Sequence, residues 1–490
     1  MSARPGPDSR ERRAFAFEVA AAADEQAVWS PPPGPGDETA AAPVSDALHA
    51  RGMKAASADE AAARVRPDDT IGLPLAVGQP AAFVEALGRR NDWTNLRIVG
   101  ALLAVGSEAF MHPNVHFLSG FFGPIERGLR DAGANIGFAP VDFRRMAPLY
   151  EALAPRVMAT VAAPPDERGW CSLSLHAGGT TEELERAGTD PDRVLIVEVS
   201  EHFPRTSGLA PDHPHAVHVD QIDVLIESDR PPPALADPEP TDADRAIAEN
   251  ASTLIPNGAT LQTGIGTIPS TIATLLAEGE GEDYGVHSEM FTTGLMRLHE
   301  SGKVTNRKGQ FDGVSVSTFA FGTAELYEWL DGNDQVAFLP VSVVNSPEAI
   351  ARNRLAVTIN GALAIDVHGQ VVADTIHGKQ HSGPGGHEDF VSAPAVAIEQ
   401  QSLLCFRSTV TVGGELISRI VPWFDAGAVI TTPRHQVEYV VTEYGIAELM
   451  GKTVHQRGEA LAAVAHPDFR AELRAAAERA SGGRSPMPHS

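Results

Sequence analysis

The sequence predicts an α/β fold of two domains, each a largely parallel sheet flanked by helices, and three observations carry the prediction. The chain has 490 residues, 43% of them hydrophobic, enough for well-buried cores. At roughly 150 residues per domain about three domains would fit, and two larger α/β domains fit as well. Short apolar runs alternate with helix-like segments over most of the length, the pattern of a buried parallel sheet with crossover helices. A proline-rich acidic stretch, SDRPPPALADPEPTDAD, interrupts that alternation near its middle.

In chain order, residues 1–50 include SPPPGPGDETAAAPVSD and show little periodicity, so they read as a disordered arm. Residues 51–228 form the first domain. There TIGLPLAVG, LRIVGALLAVG, IGFAPV, VMATVAAP, RVLIVEV and DVLIES read as strands, with PAAFVEALGRR and GPIERGLRDAG as helices between them. Residues 229–242 carry the prolines of a linker. Residues 243–480 form the second domain: helix ADRAIAENASTLI, strand ATLQTG, helix PSTIATLL, helix EMFTTGLMRLHESG, then strands GVSVSTFAFG and QVAFLPV. LAVTINGALAIDVHGQVVADTIHG alternates with glycine at its turns and reads as a β-meander.

Composition excludes several functions. A formal charge of −26 speaks against nucleic acid or anionic membrane as a partner, since both require a basic face. No run of 18 apolar residues exists to span a membrane. The N-terminal segment, with Asp8, Glu11 and Glu18, lacks the features of a signal or transit peptide, so the expected location is cytoplasmic. Cys171 and Cys405 sit in apolar runs and read as buried free thiols.

Four stretches could carry chemistry. In LQTGIGTIPSTIATLL, a strand ends at Gly264-x-Gly266 and Pro269 starts a helix; this suits a tight βα turn and equally an anion held on free helix amides. In GVHSEMFTTGL the strand reads as ending at Val286, with a helix from about His287-Ser288 burying Phe291, Leu295 and Leu298. That places Glu289 in a first helical turn, where a negative charge is favourable by about 0.3–1 kcal/mol. In GKQHSGPGGHEDFVSAP, Gly383 to Gly386 form an irregular loop, either a plain surface turn or a set of amides able to hold an oxyanion. His377, His381 and His387 flank that loop, but the glycines deny them the helical spacing of a metal site, so no metal is expected. In RLHESGKVTNRK, Arg297, Lys303, Arg307 and Lys308 suit a helix C-terminus and, equally, a phosphate-binding patch.

Taken together, from about Met53 to Leu473, these stretches resemble the acetyl-CoA hydrolase/transferase family, which includes 4-hydroxybutyrate and other short-acyl CoA-transferases. Further matching stretches are FFGPIERGLRDAGANIGFAPV, DERGWCSLSL, EVSEHFPRTSG, SRIVPWFDAGAVITTPRHQVEYVVTEYGIAELMGKT and AHPDFRAEL. The resemblance implies two CoA-transferase-type domains with the site where they meet. It implies Glu289 as nucleophile, Gly383, Gly385 and Gly386 around the reacting carbonyl, and Gln262, Gly264 and Gly266 near the acyl group. Lys303, Arg307 and Lys308 are then the candidates to meet the CoA phosphates. Coenzyme A is a substrate, no cofactor is bound permanently, an acyl-CoA and a small carboxylate are the partners, and a homodimer is implied. Pro384, His387 and Ser200 depart from the residues typical of the family, which bears on acyl specificity.

The implied chemistry is transfer of CoA between a short-chain acyl-CoA and a free acid through a glutamyl-CoA thioester, by a ping-pong route. Water reaching the intermediate would turn the same site into an acyl-CoA hydrolase. A non-catalytic acyl-CoA-binding protein is the alternative from another class; it needs neither Glu289 nor the glycine loop.

Overall fold

The structure, a computed structural model, describes residues 55–236, 239–394 and 399–480. The predicted arm lies outside them, as do residues 237–238 of the predicted linker.

Two sheets organise the chain. The first contains β1 (Thr70–Gly72), β2 (Leu96–Gly100), β3 (Val115–Ser119), β4 (Ile136–Phe138), β5 (Val157–Ala162), β6 (Val194–Val199) and β7 (Val224–Glu227). Their spatial order is β4-β3-β2-β1-β5-β6-β7, parallel throughout. VMATVA and VLIVEV are buried along their whole length, because helices or the rest of the fold cover both faces of these central strands. The second sheet contains β8 (Thr260–Thr263), β9 (Gly285–Phe291), β10 (Ser315–Ala320), β11 (Val336–Phe338), β12 (Ala356–Asn360), β13 (Gln401–Cys405), β14 (Tyr439–Thr442) and β15 (Gly445–Glu448). Its order is β11-β10-β9-β8-β12-β13-β14-β15, parallel except for the last pair. Both sheets therefore wind in the same sense: four strands to one side, then a reversal to the other. Ligands of open parallel sheets sit beyond the strands' C-terminal ends, next to such a reversal.

The helices that frame this edge are α1 (Pro124–Asp131), α2 (Thr267–Glu278), α3 (Thr293–Glu300), α4 (Val341–Val344) and α5 (His387–Ser392). Two helix starts differ from expectation. β9 runs on through His287, Ser288 and Glu289 to Phe291, and α3 begins only after Thr292, whose hydroxyl accepts from the Leu295 N–H. Glu289 is thus a strand residue, and no helix dipole acts on it from a first turn. α2 starts at Thr267, so Pro269 is its third residue, and Gly266 caps it at φ +124°. The expected meander is divided: Ala356–Asn360 joins the parallel sheet as β12. Ala364–Asp366 then pairs with Val371–Val372, and Thr375–Ile376 with Lys379–Gln380, in antiparallel hairpins turning at Gly369 and Gly378.

The segment between β7 and the helix Asp242–Ser252 has no regular element among its described residues and bridges the domains: Arg230 pairs with Glu85 of the first, and the residues after it bond the second. Leu235 donates to the Gly322 carbonyl, and the Tyr327 hydroxyl donates to that of Pro233. Cys171 and Cys405 are both buried and form no disulfide. Among the described residues no helix is long and apolar enough to cross a membrane.

Candidate active site

β8, β9 and the glycine loop converge where the two domains meet. Ser288 fixes the first two: its hydroxyl donates to the Thr263 and Met290 carbonyls and accepts from the Thr263 N–H. His287 and Glu289, two residues apart, share the opposite face of β9. His287 reaches the Val344 carbonyl at 2.8 Å, and burial pushes its imidazole down to about 4, so it is neutral there. This contact sets α4 against β9 and brings the next residue, Asn345, to Glu289.

Asn345 is fully buried, and its amide nitrogen lies 2.5 Å from Glu289 Oε2 and 3.0 Å from Asp389 Oδ2. The Gly386 N–H also bonds the Glu289 carboxylate. A Cβ at Gly386 would lie 1.8 Å from Oε2 and 2.5 Å from the Asn345 nitrogen, so no other residue fits. At Gly385, φ +53°, a Cβ would lie 3.7 Å from Glu289 Oε1 and 3.5 Å from the Phe121 ring. Gly383 packs on the Gly120 carbonyl and on Phe121. The first domain grips this loop by its carbonyls: Arg127 donates to that of His381, Arg130 to Gln380, and the Phe122 and Phe143 N–H groups to Ser382 and Gly385. With those carbonyls turned away, the Gly386 amide is left to face the carboxylate.

The Glu289 carboxyl is pushed up to about 8. Burial is the largest cause and the nearby Asp389 adds to it, while the bonds from Asn345 and Gly386 oppose both. Asp389, also buried, is raised to about 6 despite Arg144. Two raised carboxyls bridged by one amide in a domain crevice are the kind of perturbed pair found at functional sites.

The other expected residues divide. Gln262 is buried on β8 and accepts from the Ile359 N–H of β12 at 3.2 Å, at the point where strand order reverses. Gly264 and Gly266 line a small cleft at the same sheet edge, with Ile265, Ser270, Thr292 and Phe321. A Cβ at Gly264 would meet nothing, so packing does not demand glycine there. The cations lie elsewhere. Lys308 is fully buried, and its ammonium donates to the Val286 and Val314 carbonyls at the N-terminal edge of the sheet. Lys303 caps carbonyls at the end of α2, Leu276 and Gly279, and Arg307 pairs with Asp283 at 2.7 Å. All three follow α3, which returns the chain to the edge opposite Glu289, so the structure does not bring them to the site. Of the residues departing from the resemblance, His387 bonds Thr432 at 2.8 Å and the Ser200 hydroxyl donates to the Arg230 carbonyl.

Asn345 escaped the sequence reading. It lies 56 positions from Glu289 in PVSVVNSPE, at the end of a four-residue helix, and no local motif marks it. Asp389 stood inside the recognised loop as HEDF, but only the fold shows it bonded to Asn345.

Residues 322–477 match the family model for the acetyl-CoA hydrolase/transferase C-terminal domain. The chain is 34% identical over 428 residues to the 4-hydroxybutyrate coenzyme A transferase of Clostridium kluyveri, covering 86% of this chain and 96% of that protein. It is 33% identical over 440 residues to the butyryl-CoA:acetate CoA-transferase of Anaerostipes caccae, covering 87% and 96%. The fold matches the crystal structure of 4-hydroxybutyrate CoA-transferase from Porphyromonas gingivalis with a TM-score of 0.70 and 28% identity, over 89% of this chain and 99% of that one. With likeness extending over most of its length, the chain belongs to the acetyl-CoA hydrolase/transferase family and is an enzyme of the short-chain acyl-CoA:carboxylate CoA-transferase type.

Proposed function

We propose that this enzyme moves CoA between a short-chain acyl-CoA and a small monocarboxylate of the acetate, butyrate or 4-hydroxybutyrate kind, with Glu289 as nucleophile. The observation that carries the reading is the close seat of the Glu289 carboxylate. Oε2 accepts from Asn345, the Gly386 amide bonds the carboxylate, and even one methyl carbon added at Gly386 would overlap Oε2.

Oε2 accepts from the Asn345 amide and Oε1 faces Gly385, so Oε1 is the attacking atom. It adds to the thioester carbonyl carbon; the C–S bond breaks, CoA leaves as thiolate, and an acyl–glutamyl anhydride remains. The thiolate adds to the glutamyl carbonyl carbon, the anhydride C–O bond breaks, and the first acid leaves as carboxylate. In that step negative charge builds on Oε2, where the Asn345 donor already lies and beside which Gly386 packs. One such donor is worth about 2.7–4 kcal/mol. A second carboxylate reverses the two steps and leaves as the new acyl-CoA, restoring Glu289. The thioester energy is kept, so the cycle consumes neither ATP nor metal. CoA enters as substrate, and the reading takes a cytoplasmic homodimer from the family resemblance, with sedimentation as its check.

Hydrolysis is the second reading, favoured by the family's own description, which names both activities. Acetyl-CoA incubated with and without butyrate separates the two. Butyryl-CoA forming in step with acetyl-CoA loss, and abolished by Glu289→Gln, supports transfer. Acid-independent release of free CoA at the same rate supports hydrolysis, and full turnover in Glu289→Gln overturns the nucleophile.

A further inference from the structure

We propose that Arg144, contributed by the first domain, is a positioning residue for Glu289 and acts on it through Asp389 and Asn345. The inference rests on the reading of Glu289 as nucleophile.

Arg144 Nη1 lies 2.6 Å from Asp389 Oδ1, and the Arg144 backbone N–H donates to Oδ2 at 3.2 Å. Oδ2 also accepts from the Asn345 amide nitrogen, which donates in turn to Glu289 Oε2. Asp389 and Asn345 are both fully buried. In the reactive form, with Glu289 and Asp389 both ionised, the two carboxylates only accept, so the pair of them fixes which way the amide faces. The Asn345 Oδ1 atom is buried with no partner, so nothing on its other side holds that orientation. Were Asp389 to lose its charge, its O–H could donate to Oδ1 and turn the amide. Glu289 would then lose a donor at the oxygen where charge develops. Burial favours that neutral form, and Arg144 opposes it. Asp142 shares the same guanidinium at 3.0 Å. Because Arg144 lies on the first domain and the other three residues on the second, the nucleophile is fully ordered only when the domains are together.

The test uses the full chain and acetyl-CoA-to-butyrate transfer, with folding followed by circular dichroism. Arg144→Met is expected to lower kcat about 100-fold, as for a misplaced reacting group. KM for acetyl-CoA should stay within about twofold, since a positioning residue touches no substrate. Arg144→Lys should recover at least about tenfold of the loss, by restoring a charge beside Asp389. In an Asp389→Asn background, Arg144→Met should change kcat by less than about twofold, because the pair acts as one unit. Unchanged kcat in Arg144→Met, a rise in KM alone, or equal losses in both backgrounds would each overturn the proposal. If Arg144→Met does not fold, the near-isosteric Asp389→Asn decides: reduced kcat at constant KM supports it, unchanged kcat overturns it. Glu289→Gln at wild-type turnover would sink the nucleophile reading, whatever Arg144 does.

Discussion

On the proposed reading, the Glu289 carboxyl trades stability for reactivity. Its folded value of about 8 exceeds the ordinary 4.5, so the native state binds the proton more tightly than the unfolded chain does. The resulting penalty grows as pH rises from 4.5 and is complete above about 8. Glu289→Gln should therefore melt higher than wild type above pH 8, with the gain vanishing near pH 4.5, while transfer is lost; thermal melts across that range check it. CoA release in the first half-reaction should rise with pH to a plateau with an apparent value near 8, since only the ionised form attacks. Asp389 is coupled to Glu289, so that value belongs to the pair. Stopped-flow release from pH 6 to pH 9 measures it, and a flat profile contradicts it. Gly386→Ala must push the carboxylate or Asn345 aside, since its Cβ would fall 1.8 Å from Oε2. A displacement of that order predicts about a 100-fold loss in kcat.

At the scale of elements, β9 shows how much the sequence could tell. Its motif, the glycine loop and most strands were legible, because parallel-sheet strands are short apolar runs. The end of β9 was not. Ser288 and Glu289 break the apolar run, and in sequence they resemble a helix start. In the fold Ser288 is a strand residue whose hydroxyl bridges to Thr263 where the backbone pairing of β8 with β9 gives way. The signal that could have placed the boundary was Thr292, a helix-capping residue three positions before Leu295. Asn345 and the Arg144–Asp389 pair were illegible for another reason. Each joins residues 44 to 245 positions apart, a distance that no local pattern encodes. Ser288→Ala removes the hydroxyl whose one proton serves the Thr263 and Met290 carbonyls and leaves the buried Thr263 N–H without it, and should cost about 1–3 kcal/mol. Denaturant unfolding checks this, and a cost below about 0.5 kcal/mol would mean that the bridge does not hold the two strands.

Across the whole molecule, two sheets of the same strand order meet so that one domain carries Glu289, the proposed nucleophile, and the other grips the loop beside it. The titratable groups buried in this arrangement set the pH of greatest stability. Glu126 and Glu388 are pushed up to about 7, Asp389 to about 6 and Glu289 to about 8, chiefly by burial; their contribution is lost as pH rises towards those values. His215, His287, His299 and His387 are held down near 4 and His176 near 3, so the fold loses stability as pH falls below 6.5, where the unfolded imidazoles charge. The two sets balance at about pH 6 to 6.5, where the melting temperature should reach a local maximum. Lys308, held down to about 7 by burial, restores stability as pH rises above that value, because only the unfolded chain keeps its proton there. A melting temperature that falls between about pH 5 and about pH 6, where the histidines discharge in the unfolded chain, would contradict it.

The central claim is that Glu289 becomes covalently loaded. The most direct measurement is incubation with acetyl-CoA, trapping with borohydride or hydroxylamine, and peptide mass mapping of the whole chain. The account predicts modification confined to Glu289 and absent from Glu289→Ala. Transfer proceeding at full rate with Glu289 unmodified, or with the trapped group on another residue, would contradict it.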